Sequence, residues 1–412
     1  IMNSSDGIAW TKWCVDGTTN IALNCIDKHK GTPTWNHPAV DWEGEDGVRR
    51  TWTYAELDDQ VSRLANALKS LGVGRGDIVA IYMPMIPEVA AAYLAIAKMG
   101  AVSLPLFSGF GPGAIRTRLQ DAEAKAVICA DAMPRAGKVI PLQNTLDQAL
   151  EDTPSVSRCI VYNHMDSGAA MVEGRDSDWT EMLGAQSPDC MTEQLPADAM
   201  LTLAYTSGTT GKPKGVVATH CGFLIKTAFD IRVMNDLKAS DRLLWMSDFG
   251  WVVGTMTVTT VFDAGATLVM ADGAPDHPGD RNRILRLAQD MKVTYLGVGP
   301  TLIRSFMKAL GNEGHGFDLS AIRVVTSSGE PWTPDAWNWC QKHICGDAPL
   351  LNISGGTEIS GLILTSTVIH PNKPCGFTCG VPGMGAAIFN AEGKLAAAGE
   401  MGGLGLTKDN VG

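Results

Sequence analysis

The sequence predicts an α/β fold: two parallel-sheet subdomains with crossover helices. Three observations carry this. Short apolar runs of strand length alternate with segments of helix length. The alternation occurs twice, on either side of a polar stretch at 164–199 rich in turn formers. With 412 residues, 45% hydrophobic and 19% charged, the chain is long enough for two or three subdomains around a large core.

The elements follow in order. The first thirty residues, with Trp10, Trp13 and the run 20–29, read as an apolar extension packed on the core. Residues 54–71 place Leu57, Val61, Leu64, Leu68 and Leu71 at helical spacing, and Gly72 is placed to end that helix. Strands are expected at 78–83, 101–106 and 126–130, with helices at 88–99 and 114–121 between them. Such alternation argues for a parallel sheet. After the 164–199 connector and the run 201–215, a second half repeats the pattern. Helices are expected at 223–237, 281–291 and 300–310, and strands at 242–246, 261–270, 293–298 and 322–326.

Composition narrows the function classes. A formal charge of −11 argues against a general nucleic-acid or membrane-surface binder. Ten cysteines without a C-x-x-C pair fit reduced thiols in an intracellular, cytoplasmic setting better than a disulfide scaffold or a zinc site. No apolar run has the length of a membrane span. The chain begins at Ile1 and stops in loop-like residues 409–412, so both ends read as cut, and targeting signals beyond them are unreadable.

The run 201–215 carries the clearest chemistry. Apolar residues lead from Met200 to Tyr205 into Thr206, Ser207, Gly208, Thr209, Thr210, Gly211, Lys212, Pro213, Lys214 and Gly215. Glycines let a backbone turn bring N–H groups to an anion, while hydroxyls and ammonium groups add donors and charge. This suits a polyphosphate, and Pro213 after Gly-Lys excludes a Walker A loop. The bland alternative is a polar surface loop. Arg135, Ala136, Gly137 and Lys138 follow the 126–130 strand, where ligands bind in such sheets, although such clusters are often solvated turns. Ser328, Gly329, Glu330 and Pro331 follow another strand, and Gly329 would let a flat ring lie on the backbone. Asn352, Ile353, Ser354, Gly355 and Gly356 lead into Thr357 and Glu358, the latter a carboxylate of the kind a hard cation prefers. Nothing resembles a nucleophile elbow, an H-E-x-x-H helix or a Rossmann glycine fingerprint.

The run 201–215 resembles the signature loop of the adenylate-forming enzymes, comprising acyl-CoA synthetases, peptide-synthetase adenylation domains and luciferases. In that family this loop holds the outer phosphates of ATP while a carboxylate attacks the α phosphate. The resemblance extends from about Trp10 to Gly399, and the wording of the first thirty residues and of 135–138 is similar to acetyl-CoA synthetases. It implies that ATP is held by 206–212, Lys214, Gly329 to Pro331 and 352–357, with Thr206, Lys214, Thr357 and Glu358 catalytic and Glu358 on Mg²⁺. It implies CoA contacts at Arg135, Ala136, Gly137, Lys138, Val253 and Thr294. It also implies an acyl pocket of Trp251, Val252, Val253, Ser328 and Gly355. The implied partners are a small carboxylic acid, ATP and CoA. The implied subdomains are 1–199, 200–355 and a β-rich distorted barrel at 356–412.

Two departures matter. The family continues with a ribose-binding Asp, a hinge and a small mobile domain carrying a lysine, none of which this chain contains, so it reads as the large N-terminal part. Acetyl-CoA synthetases carry Trp-Trp-Gln-Thr-Glu where this chain has Ser354-Gly-Gly-Thr-Glu358. Gly355 in place of an indole implies room for acids longer than acetate. Two other readings stay open: an adenylate-forming enzyme that does not use CoA, and a non-catalytic nucleotide-binding protein.

Overall fold

The computed structural model describes residues 2–206, 213–275, 277, 279–311 and 314–411. A short helix α1 (Ile21–Cys25) precedes the hairpin β1–β2 (Pro38–Glu43, Arg49–Thr53). Helix α2 (Tyr54–Ser70) starts on a capping box in which Thr53 and Glu56 satisfy each other's backbone N–H. Then come β3 (Ile78–Tyr82), α3 (Pro87–Lys98), β4 (Val102–Pro105), α4 (Pro112–Asp121) and β5 (Ala126–Ala130). The hairpin β6–β7 (Met133–Arg135, Lys138–Ile140) leads to α5 (Leu142–Leu150), β8 (Arg158–Tyr162), β9 (Asp176–Asp178) and α6 (Trp179–Gly184). A second hairpin, β10–β11 (Met200–Thr206, Lys214–Thr219), runs into α7 (His220–Ala228), which continues as a wider π-type turn over Phe229–Met234.

The second half comprises β12 (Arg242–Trp245), α8 (Val252–Ala264), β13 (Thr267–Ala271), α9 (Arg283–Asp290), β14 (Tyr295–Val298), α10 (Pro300–Leu310), β15 (Val324–Ser327) and α11 (Pro334–Cys340). It ends with β16 (Leu350–Gly356), β17 (Gly361–Thr365), β18 (Cys379–Gly380) and the hairpin β19–β20 (Ala386–Phe389, Gly403–Leu406). One expectation needs correction. Residues 261–270 are not one strand: 261–264 close α8, Gly265 at φ 75° caps it, and the strand begins at Thr267. The β-branched residues of α8 favour extended backbone in isolation, but almost the whole helix is buried, and tertiary packing overrides propensity.

The first sheet has the order β9-β8-β5-β3-β4-β10-β11, parallel except for the final β10–β11 pair. The second has the order β18-β17-β16-β15-β14-β12-β13-β1-β2, parallel from β16 through β1 and antiparallel at both edges. The sheets do not follow the boundaries expected at 199 and 355. β1–β2 joins the second sheet, β10–β11 the first, and β17–β18 extends the second past residue 356.

Side-chain alternation builds five layers. Val79, Ile81 and Ile128 of the first sheet face inward with Leu243, Leu268 and Tyr295 of the second, and α2, α3 and α8 fill the space between. Tyr82, Val127 and Cys129 point outward under α4 and α5. Leu244, Val269 and Leu296 point outward under α9, α10 and α11. Because α3 is buried all round, its two charges need partners. Glu88 takes Arg50 at 2.5 Å, and Lys98 reaches Asp27 and Asp58, both at 3.3 Å.

Candidate active site

Both sheets end their parallel strands on the same side, and the candidate residues cluster there. Thr206 and Lys214 are register partners at the open end of β10–β11. Lys214 is exposed and makes no ion pair among the described residues. Ser207, Gly208, Thr209, Thr210, Gly211 and Lys212 lie outside the described residues.

Opposite this hairpin, β16 runs out at Gly356 into a single 3₁₀ turn, Thr357–Ile359, closed by Ser360 in the left-handed region at φ 52°. Lys226 and Asp230 on the α7 segment hold the following strand. The Lys226 ammonium donates to Leu362 O at 2.7 Å, and Asp230 accepts from Leu362 N at 2.7 Å. The two side chains pair at 2.6 Å, and burial weakens the charge of each. A narrow cavity results, with Thr357 and Ser360 on one wall, Ala204 and Val216 on another, and Trp251 and Val252 on a third. The Glu358 carboxylate is exposed and makes no hydrogen bond or ion pair among the described residues. Among those residues no group of three or more His, Cys, Asp or Glu could hold a metal. One free carboxylate beside bound phosphates is nevertheless the usual donor set for Mg²⁺, so Glu358 fits that ion.

Around β15 and β16 the expected nucleotide contacts differ in kind. Gly329 is exposed at φ 103° with open space beside it, so a planar group can approach its backbone. Pro331 is also exposed. Glu330 is committed elsewhere: it accepts from Thr301 N at 2.7 Å and from Arg304 at 2.6 Å, which holds its carboxyl below the usual range. Ser328 is half-buried. Asn352 is buried, donating to Cys375 O at 3.5 Å, and the Ile353 side chain belongs to the central core.

Two expected site residues are corrected. A Cβ on Gly355 would stand 1.8 Å from Gly361 O, so the position matched to an indole is filled by the backbone of β17, not by open space. The Thr294 hydroxyl donates to Asp241 at 2.7 Å and accepts from Arg242 N at 2.9 Å. It lies just before β14, at the end of the sheet away from the site. Val253 packs against the central core beside Val252.

A larger cavity of about 370 Å³ opens between the two sheets. Phe107 and Ser108 line it from the loop after β4, Arg135 from the separate β6–β7 hairpin, and Asp248, Trp251 and Gly273 from loops of the second sheet. Asp248 bridges the sheets by accepting from Ser108 N at 3.3 Å, Ser108 Oγ and Gly250 N at 2.8 Å. Desolvation raises its carboxyl above the usual range. Arg135 and Lys138 are exposed register partners flanking a tight turn. Ala136 and Gly137, at φ 54° and 75°, donate their N–H groups to Glu45, so they shape the turn rather than offer free donors. Trp251, 59% exposed and tilted 5.7 Å from Phe107, borders both cavities. Sequence reasoning assigned no role to Asp248 or Glu45, because their partners lie 140 and about 90 residues away.

The model for the family described as AMP-binding enzyme matches residues 27–411. The acetyl-coenzyme A synthetase of Gemmatimonas aurantiaca is 42% identical over 392 residues, covering 92% of this chain and 60% of the relative. That of Streptomyces coelicolor is 41% identical, covering 97% and 62%. Among solved structures, the acetoacetyl-CoA synthetase from Streptomyces lividans aligns with a TM-score of 0.87 at 27% identity, over 96% of this chain and 60% of that one. The chain thus spans about three-fifths of the length of the relatives it matches. With the fold, the 27–411 match and this identity in agreement, the chain belongs to the AMP-binding enzyme family.

Proposed function

We propose that the protein activates a carboxylic acid with ATP to an acyl adenylate and pyrophosphate, then transfers the acyl group to CoA with release of AMP. The observation that carries this reading is Trp251, the shared wall of two cavities. One cavity holds Thr357 close to the Thr206–Lys214 hairpin; the other opens toward the cations Arg135 and Lys138. That arrangement suits two half-reactions meeting at one acyl carbon. The acetyl- and acetoacetyl-CoA synthetase relatives support it.

In the first half-reaction a carboxylate oxygen attacks the α phosphorus, and the bond to pyrophosphate breaks. The substrate carboxylate and the phosphate are both anionic, so the residues must offset repulsion. Lys214 supplies charge, while Thr206 and Thr357 supply hydroxyl donors. Glu358 would hold Mg²⁺, which when bound neutralises charge on the phosphate oxygens. In the second half-reaction the thiol sulfur attacks the acyl carbon, its proton leaves to solvent, and AMP departs. Arg135 and Lys138 hold the phosphates of CoA at the cavity rim, and the narrow space beside Trp251 and Val252 takes the acyl chain.

The test is acid-dependent ATP–pyrophosphate exchange followed by CoA consumption, both in the full-length protein. Exchange with stoichiometric AMP release on adding CoA is expected. Exchange without thioester would favour an adenylate-former that does not use CoA. Nucleotide binding without exchange would favour a non-catalytic role.

A further inference from the structure

The hairpin β6–β7 is held by one carboxylate from a distant part of the chain. Glu45 lies in the turn between β1 and β2. It accepts from Ala136 N at 2.8 Å, Gly137 N at 3.0 Å and Ala274 N at 2.8 Å. Its own N–H donates at 2.9 Å to Asp272, which also takes His164 at 2.6 Å. Gly273, at φ 81°, leaves the space this approach needs: a Cβ there would stand 2.5 Å from a Glu45 oxygen.

The chemistry of the turn makes this contact informative. Successive left-handed residues point their N–H groups into a concave nest that prefers an anion. Here the nest is filled from inside the protein. Ala136 would otherwise resist its left-handed conformation, and charge-assisted hydrogen bonds of this kind stabilise it. An incoming phosphate therefore meets the Arg135 and Lys138 side chains, not the turn's N–H groups. Burial raises the Glu45 carboxyl, but the three N–H donors more than offset this and hold it below its usual range, so it is charged at neutral pH.

Resting on the CoA reading above, we infer that Glu45 is a positioning residue that fixes Arg135 and Lys138 for the phosphate-bearing end of the thiol substrate. It clamps three segments together: the β1–β2 turn, the separate β6–β7 hairpin and the second sheet's loop after β13. Without it the turn that carries the two cations, with Arg135 on the cavity wall, loses its anchor.

The experiment compares CoA with pantetheine, which has the thiol arm but no phosphates, in the full-length protein. Glu45→Gln keeps an acceptor but turns an NH₂ toward N–H donors. It should raise the KM for CoA about tenfold, as expected for weakened charge-assisted contacts, and leave the KM for pantetheine unchanged. Glu45→Asp, which keeps the charge, should recover part of the CoA loss. Equal losses for both thiols would reduce Glu45 to general structural support and overturn the inference. So would an unchanged KM for CoA in Glu45→Gln when Arg135→Ala raises it. If Arg135→Ala and Lys138→Ala leave the KM for CoA unchanged, the CoA reading of the hairpin itself fails.

Discussion

At the scale of single residues, Lys214 and Glu358 are charges near Thr357 without ion-pair partners among the described residues. On the proposed reading, the unpaired ammonium at the open end of the β10–β11 hairpin meets the outer phosphates. Lys214→Ala should therefore weaken ATP binding about tenfold, the usual loss of a charged hydrogen bond, and weaken AMP binding less, as read by calorimetry. Equal losses for the two nucleotides would remove Lys214 from the outer phosphates. Glu358→Gln should raise the Mg²⁺ concentration needed for half-maximal pyrophosphate exchange; an unchanged Mg²⁺ dependence would place the ion elsewhere. Thr206, Lys214 and Thr357 stand out in the sequence as candidates because their chemistry is local: hydroxyls, glycines and cations crowd into short runs. Glu45 was not. An acid among Glu43, Gly44, Asp46 and Gly47 reads as a solvated turn until folding brings Ala136, Gly137 and Ala274 to it. Thr294 shows the opposite error, a plausible hydroxyl whose hydrogen bonds are already spent on Asp241 and Arg242.

At the scale of elements, β16–β17 sets the shape of the Thr357 turn. The register shifts between Ser354 and Gly355, and Gly355 lies under the Gly361 carbonyl. Even a methyl group there must push β17 away. Gly355→Ala should cost roughly 1–3 kcal/mol, the range for overpacking, with pyrophosphate exchange falling alongside the urea midpoint. A neutral Gly355→Ala would mean that β17 yields easily and would restore an acyl-pocket role for this position. The α7 start offers a pH test. The His220 ring is fully buried, accepts from Ile21 N at 3.2 Å and leaves Nε2 without a partner among the described residues. Burial lowers its pKa from 6.5 to about 4. Because the unfolded chain takes up the proton first, His220 costs nothing above pH 6.5 and destabilises the fold progressively as pH falls toward 4. The full effect is roughly 3 kcal/mol. Urea unfolding should show His220→Gln losing less stability than wild type across that window, and parallel curves would dismiss the effect. Strand and helix alternation in the first half was legible because α2 keeps one polar face. Helix α3 is buried all round too, but its alanines read as helix; α8 was not legible because its Val and Thr residues read as strand.

At the scale of the whole molecule, the chain order and the sheet order are interlaced. Sequence alternation placed a division near residue 199, because polarity rises there. Strand pairing ignores it: β1 runs parallel to β13 in the second sheet, and β10 joins β4 in the first. A 1–199 fragment would lack β10–β11 and leave β1–β2 without a sheet. A 200–412 fragment would expose the β13 edge and lose α2 and α3, which fill the layer between the sheets together with α8. Open edges and uncovered apolar faces favour association over folding. Each fragment expressed alone should therefore lack near-ultraviolet circular dichroism and a cooperative urea transition, and co-expression should restore both. A second cut separates interlacing from mere loss of length. Residues 167–174 form an exposed segment between β8 and β9, which are neighbours in one sheet. Proteolytic nicking there removes no strand, so the two pieces should stay together through size-exclusion chromatography. A cooperative transition in isolated 200–412 would show that β1–β2 is dispensable to the second sheet and that the boundary near 199 is a folding boundary after all.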